Sequence, residues 1–293
     1  MAGAVMARPL ILDFDGSVAP LDGADSVPLQ ERQELIRFGC RKRELDALAR
    51  DLEPILESRP PLVFLGSGDF HHVSYMLVER LRRPIERLRR PIQVVVFDNH
   101  PDNMRYPFGI HCGSWIWHVS RLPFVARVHV AGITSHDVAG FHIVENHLRP
   151  LLKGRVVYWC VGPKPAAIFH RYSFSTIGAM LEALIGALKR SDEPVYLSID
   201  KDVLANDVVQ TNWDQGVMRL EELMSAIAML RGRIVGADVT GDISLYRYRS
   251  RLKRILTMID RQPEIDHECL REWQSRHRYV NQALIASITE QIC

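Results

Sequence analysis

The chain has 293 residues, of which 47% are hydrophobic and 25% charged, the balance of a folded globular protein with a sizeable core rather than of a disordered one. Thirty-seven basic against 35 acidic side chains leave a net charge of +2, too small an excess for a dedicated nucleic-acid binder, and no apolar run reaches the roughly 18 residues a membrane helix needs. Cys40, Cys112, Cys160, Cys269 and Cys293 are scattered and form no CxxC pair, which with an N-terminus (Met1–Pro9) lacking an apolar signal segment leads us to expect a reduced, cytoplasmic protein.

The first strand is expected at Leu10–Phe14. It leads into Leu12-Asp-Phe-Asp-Gly-Ser-Val18, a short loop similar to that of haloacid-dehalogenase-like phosphatases, in which Asp13 would attack phosphorus and Asp15 serve as acid and base. The partners of that chemistry are not clearly placed, and a strand ending in a turn is the preferred reading. The second strand, Leu62–Leu65, runs into Gly66-Ser-Gly-Asp-Phe-His-His72. A short echo, Leu81–Ile85 repeated at Leu88–Ile92, is too brief for a repeat protein; its arginines read as a solvated helix face or a subunit contact. Strand Gln93–Phe97 runs into Asp98-Asn-His-Pro-Asp102, followed by Gly109-Ile-His-Cys-Gly113 and by Trp115 and Trp117, expected to pack a helix onto the sheet.

Further strands are expected at Arg127–Ala131 and Val156–Val161. Phe174, Ile177, Leu181, Leu184 and Leu188 step by three and four, as do Leu220, Leu223, Ile227 and Leu230, and each set lines one helix face. Between them strand Val195–Ile199 runs into Asp200-Lys-Asp202. The loop Trp213-Asp214-Gln215-Gly216 either walls a pocket or packs on the surface. Strand Ile234–Val239 carries Asp238 and runs into Gly241-Asp242, and from about Leu245 the chain reads as a charged helical tail. Near-continuous apolar strands alternating with helices specify an α/β fold, three layers with a central parallel sheet covered on both faces. No linker divides the chain, so we expect one domain over residues 1–293.

In such a sheet the ligand crevice lies at the carboxyl ends of the strands, and four strands deliver Asp and His there. Residues two apart on an extended chain point the same way, which pairs Asp98 with His100 and Asp200 with Asp202. Several carboxylates and an imidazole at one point repel unless a cation sits among them. Oxygen-rich donors with a little imidazole suit Mn²⁺ or Mg²⁺, and two bridging carboxylates would hold two metals that together acidify one water.

These residues resemble the ureohydrolase family of arginases, agmatinases and formimidoylglutamases. Its Gly-Gly-Asp-His turn corresponds to Ser67-Gly-Asp-Phe70, its Asp-x-His-x-Asp stretch to Asp98–Asp102, and its Ser-x-Asp-x-Asp stretch to Ser198–Asp202. The resemblance implies an arginase- or deacetylase-like fold, two Mn²⁺ ions and hydrolysis of a guanidino or amidino C–N bond in a small molecule. It further implies a homo-oligomer, trimer or hexamer. Asp98 and Asp200 would bridge the metals, with His100 and Asp202 completing one site and Asp102 serving the other. His111 resembles the histidine that shuttles protons at the mouth of the site, unless it is a plain loop histidine. Asp102 and His111 are the candidate catalytic groups.

Three departures qualify the resemblance. The first metal histidine of the family falls on Phe70; His71 or His72 could replace it, with His71 the nearer, and otherwise one metal remains. The glutamate that grips the guanidinium is missing, leaving Asp242 or Asp238 as candidates. Val203-Leu-Ala-Asn206 stands where the family has Asp-Pro. Arginine is therefore not the expected substrate. Two other readings stay open, a single-metal deacetylase-like amidohydrolase and a metal-containing binding protein without turnover.

Overall fold

The computed structural model describes residues 8–57, 62–82, 85, 90–162, 172–259 and 265–291. Residues 1–7 of the N-terminal segment, and Arg83, Pro84, Leu88 and Arg89 of the Leu-Arg-Arg-Pro-Ile echo, lie outside the described residues.

All seven expected strands form. They are β1 (Leu10–Asp13), β4 (Leu62–Phe64), β5 (Ile92–Phe97), β7 (Val125–Ile133), β8 (Val156–Val161), β10 (Val195–Asp200) and β11 (Ile234–Thr240). Two short strands at the edges were not expected: β2 (Asp25–Pro28), whose residues alternate between exposed and half-buried, and β9 (Ser173–Phe174). The alternation fits an edge position, where Pro28 leaves no unmade ladder bond inside the sheet. The nine strands are ordered β2-β1-β4-β11-β10-β5-β7-β8-β9, and every pair is parallel. A separate antiparallel pair, β3 (Gly39–Cys40) and β6 (Ile110–His111), ties two loops together.

Alternation along each strand builds the two outer layers. Leu10, Leu12, Val94 and Val96 face a core shared with helices Lys42–Glu57, Val73–Glu79 and Trp115–Ser120. Ile11, Val95, Phe97 and Leu197 face a second core, closed by helices Ile177–Leu188, Leu220–Ala228 and Leu270–Thr289. Burial on both faces is why these strands read as continuous apolar runs.

The first helical stripe starts later than its periodicity implies. Phe174 belongs to β9, and Thr176 caps the helix by accepting from the Ala179 N–H at 3.2 Å. The tail is helical as expected, in two pieces, Arg251–Ile259 and Leu270–Thr289. The second piece buries Val280, Leu284, Ile285 and Ile288 against the sheet layer. Among the described residues no helix is long and apolar enough to cross a membrane.

Candidate metal centre

Strands β4, β5, β10 and β11 are adjacent in the sheet, so their carboxyl ends converge as the motifs demanded. The sequence-expected residues Asp98, His100, Asp102, His111, Asp200 and Asp202 line one cleft of about 530 Å³.

Ser67–Phe70 is a tight turn. Ser67 Oγ accepts from the Asp69 N–H, and the 3-10 segment Gly68–Phe70 follows. The turn sends Phe70 and His71 in different directions. Phe70 is wholly buried and stacks on Phe14, with ring centres 4.7 Å apart. His71 enters the carboxylates: its Nδ1 lies 2.9 Å from Asp102 Oδ2, 3.2 Å from Asp98 Oδ2 and 3.5 Å from Asp200 Oδ2. His72 is fully buried, and neither of its ring nitrogens has a hydrogen bond. Of the two histidines the sequence left open, His71 is the one among the carboxylates.

The other face of the cluster holds His100. Its Nδ1 is 2.8 Å from Asp202 Oδ2 and 3.7 Å from Asp98 Oδ1, and its Nε2 is 2.8 Å from Asp214 Oδ1. Two donor groups result, His71–Asp98–Asp200 and Asp98–His100–Asp202, with Asp98 common to both. Within each group the donor atoms lie within 4.8 Å of one another, a separation one ion could span.

Hydrogen bonding sets the tautomer of His71. Ser198 Oγ donates to Asp238 Oδ1 at 2.7 Å, so it can only accept from the Nε2–H of His71 at 3.0 Å. Nδ1 therefore turns a lone pair, or a proton held against three acids, toward the carboxylates. Neither Nδ1 nor Asp98 Oδ2 makes a hydrogen bond, although both atoms are buried. An orphaned nitrogen and oxygen face to face fit a cation, and a hydrogen bond donated by the far ring nitrogen is the usual support of a metal-binding histidine.

The titration behaviour reflects the same crowding. Burial pushes Asp102 and Asp202 up to about 7, and the charge of Asp98 adds to it. Asp98 falls to about 2 in spite of its burial because the imidazoles of His100 and His71 lie against it. His71 and His100 are held well above the usual imidazole range by their carboxylate neighbours, against burial. Carboxylates crowded in a dry site, which draw protons onto themselves and onto the imidazoles beside them, are what a divalent ion would relieve.

The surroundings are built to this geometry. Asp102 sits at φ 45°, a conformation that costs a non-glycine residue about 1–3 kcal/mol. It is held by the Trp115 Nε1–H donating to Oδ2 at 2.8 Å and by the Ile116 N–H donating to its carbonyl. Trp115 thus does more than pack a helix. Gly241 (φ 89°) must lack a side chain, because a Cβ there would lie 2.4 Å from Asp200 Oδ1.

The sequence candidates for gripping the substrate sit elsewhere. Asp238 is in the middle of β11 and accepts from Ser74, Tyr196 and Ser198. Asp242 is wholly buried, paired with Lys201 at 2.7 Å and accepting from the Asn281 amide at 2.9 Å. Neither lines the cleft. The mouth instead carries Asp137, His142, Glu145 and Asp214, together with Trp213. The loop at Trp213 was flagged in the sequence; the 137–145 segment was not, since it has no motif. Among the described residues no Lys or Arg lines the cleft.

His111 lies in the cleft wall, with Nδ1 accepting from the Gly113 N–H at 2.9 Å, so that Nε2 carries the hydrogen. Burial lowers it to about 4. The Asp13–Asp15 loop is not a phosphatase site. Asp15 is spent on Ser17, Arg37 and Ser244, and Asp13 on the Gly16 N–H and Gln30.

Comparison with known proteins bears on the fold and on the chain's relatives. The model of the arginase family matches residues 20–241. A protein described as uncharacterized, from Thermotoga maritima, is 31% identical over 205 residues, which are 70% of this chain and 67% of that relative. Among solved structures, arginase from Medicago truncatula superposes with a TM-score of 0.60 at 16% identity, over 98% of this chain and 88% of that one. The agmatine ureohydrolase of Thermoplasma volcanium gives 0.57 at 13%, covering 97% and 91%. Proclavaminate amidino hydrolase from Streptomyces clavuligerus gives 0.56 at 16%, covering 97% and 93%. At these identities the structures show a shared fold.

Proposed function

The chain belongs to the arginase family, and from that premise we propose that it is a two-manganese hydrolase of a guanidino or amidino C–N bond in a cationic small molecule. The observation that carries this reading is the unpartnered Nδ1 of His71 facing Asp98, Asp102 and Asp200. It supplies the imidazole that Phe70 removes from the family pattern. His71, Asp102 and Asp200 would hold one ion, His100 and Asp202 the other, with Asp98 and Asp200 between them. Donors of this oxygen-rich kind suit Mn²⁺, and when bound a metal pair supplies Lewis acidity and an acidified water. A one-metal deacetylase-like reading loses its motive once His71 stands in for the missing ligand.

The chain's own groups do the rest. His111 is neutral at pH 7, lines the cleft and takes no part in the carboxylate cluster, so it is the group we assign to accept and return a proton at the leaving amine. Asp102, pressed between His71 and Trp115, would help to hold the metal. Asp137, Glu145 and Asp214 give the mouth a negative field, and among the described residues no lysine or arginine lines it to hold a carboxylate. That field attracts an amidinium or guanidinium cation, the task for which Asp238 and Asp242 are out of reach.

The test is a screen of Mn²⁺-loaded protein against guanidino and amidino compounds, reading release of amine or urea. Metal-dependent turnover that disappears in Asp200→Ala is expected. Turnover that persists in Asp200→Ala, or a fully loaded protein that hydrolyses none of these compounds, refutes the proposal.

A further inference from the structure

Among the described residues Arg37 is, beside Lys201, the most deeply buried lysine or arginine, at 1% exposure. Every end of its guanidinium is used. Nε donates to Asp69 Oδ2 at 2.7 Å, one terminal nitrogen to Asp15 Oδ2 at 3.2 Å, and the other to Ser67 Oγ at 3.2 Å and Ser244 Oγ at 2.8 Å. Its flat face lies over the Phe70 ring at 5.4 Å and over the Tyr246 ring at 5.2 Å. The partners are concentrated on the Ser67–Phe70 turn, which Arg37 grips at its first, third and fourth residues. Asp69 is fixed further by the Tyr248 hydroxyl at 3.0 Å and, through its carbonyl, by the Phe38 N–H at 2.8 Å. The residue that follows this turn is His71.

We propose that Arg37 is a positioning residue for the metal centre: it locks the Ser67–Phe70 turn so that Phe70 is seated in the core and His71 is delivered to Asp98, Asp102 and Asp200. The proposal rests on the assignment of His71 as a ligand made above. A buried guanidinium between two carboxylates is an expensive way to stabilise a fold, and apolar residues of similar size often do as well. Its planar fork, however, can hold two acids and two hydroxyls in one fixed geometry, which no apolar side chain does. The Ser244, Tyr246 and Tyr248 partners also fall beyond residue 241, where the family match ends. The tail after residue 241 thus closes the brace over a turn that lies within the matched region.

The test titrates Mn²⁺ alone into the full chain stripped with chelator, following free Mn²⁺ by electron paramagnetic resonance and folding by circular dichroism. Wild type, Arg37→Met, Arg37→Lys, Tyr248→Phe and His71→Ala are compared. Outer partners of a metal ligand typically matter by 10- to 100-fold in affinity. Arg37→Met is accordingly expected to weaken one of two binding steps by about tenfold or more, the same step that His71→Ala removes, with Arg37→Lys in between because one ammonium cannot span both acids. A folded Arg37→Met protein with the wild-type isotherm, or one weakened equally at both steps, overturns the proposal. Should Arg37→Met not fold, Tyr248→Phe decides. Loss of that one hydroxyl is expected to weaken the His71 step several-fold, and an unchanged isotherm overturns the proposal. A wild-type isotherm for His71→Ala would instead sink the ligand assignment on which the proposal rests.

Discussion

Restoring the family's histidine at position 70 gives a sharp test of how the site is built. If the alignment of motifs alone mattered, Phe70→His would add a metal ligand and strengthen the centre. The structure requires the opposite. Phe70 is 0% exposed, its ring is stacked at 16° and 4.7 Å on Phe14, and the Arg37 guanidinium lies over the ring at 5.4 Å from its centre. The substitution weakens an aromatic pair worth about 0.5–1.5 kcal/mol and a desolvated cation–π contact worth about 0.5–2 kcal/mol. It also buries a ring N–H with no acceptor, at about 1–3 kcal/mol. Together these destabilise the protein by about 2–6 kcal/mol, a large part of the roughly 5–15 kcal/mol that holds a domain together. The adjacent guanidinium further prevents the new imidazole from charging. Urea unfolding of the metal-free protein measures the loss, and Mn²⁺ titration of the same protein measures the site. A Phe70→His protein as stable as wild type, or one that binds Mn²⁺ more tightly, would refute the idea that the ligand has moved to His71.

Other expectations follow from the same contacts. Ser198→Ala leaves the His71 Nε2–H without its acceptor and frees the tautomer, so Mn²⁺ affinity should fall about 10- to 100-fold with little change in fold, as read by equilibrium titration. Lys201→Met strands the Asp242 carboxylate in a site of 0% exposure and should cost about 3–5 kcal/mol in denaturant unfolding, whereas Lys201→Met together with Asp242→Leu should recover much of it. His129 accepts from the Trp159 N–H and donates to Gln93 Oε1, and burial holds it down at about 3. Its folded pKa lies below its unfolded one, so the unfolded chain gains a proton that the folded chain refuses. Its contribution is complete above pH 6.5 and drains away as pH falls toward 3, at up to about 1.4 kcal/mol per unit. Stability measured between pH 7 and pH 4 should therefore fall less steeply in His129→Gln than in wild type.

Residues differ in how far the chain alone disclosed them, and the difference has a physical pattern. Strands buried on both faces leave an unbroken apolar run, so β5, β8 and β10 were legible almost to the residue, and the acids immediately after them had to lie at the sheet's ligand edge. A two-residue edge strand such as β9 buries little and leaves no periodic trace. The candidate ligands Asp98, His100, Asp200 and Asp202 come in i, i+2 pairs that one stretch of chain displays. His71 stayed ambiguous because the direction of a side chain leaving a tight turn depends on what packs beneath it, and Phe14 and Arg37 are distant in sequence. The same holds for Asp238. As a carboxylate near the last strand's end it resembled a substrate group, yet three hydroxyls from Ser74, Tyr196 and Ser198 enclose it, and only the folded sheet brings those hydroxyls together.

Asp238 also links the site to its support. Its Oδ1 accepts the Ser198 hydroxyl's hydrogen bond, which obliges Ser198 to accept from His71, which turns Nδ1 inward. On the other side of the same turn, Asp69 and Ser67 are held by Arg37. His71 is thus constrained at its ring by β10 and β11 and at its backbone by the Arg37 network, two restraints that meet only at this residue. A ligand displaced by one position in a turn would ordinarily be loose, since neighbouring residues point apart. Here the orientation of the ring and the course of the backbone are set independently, and a histidine one place along the chain reaches the carboxylates that the family pattern assigns to its neighbour.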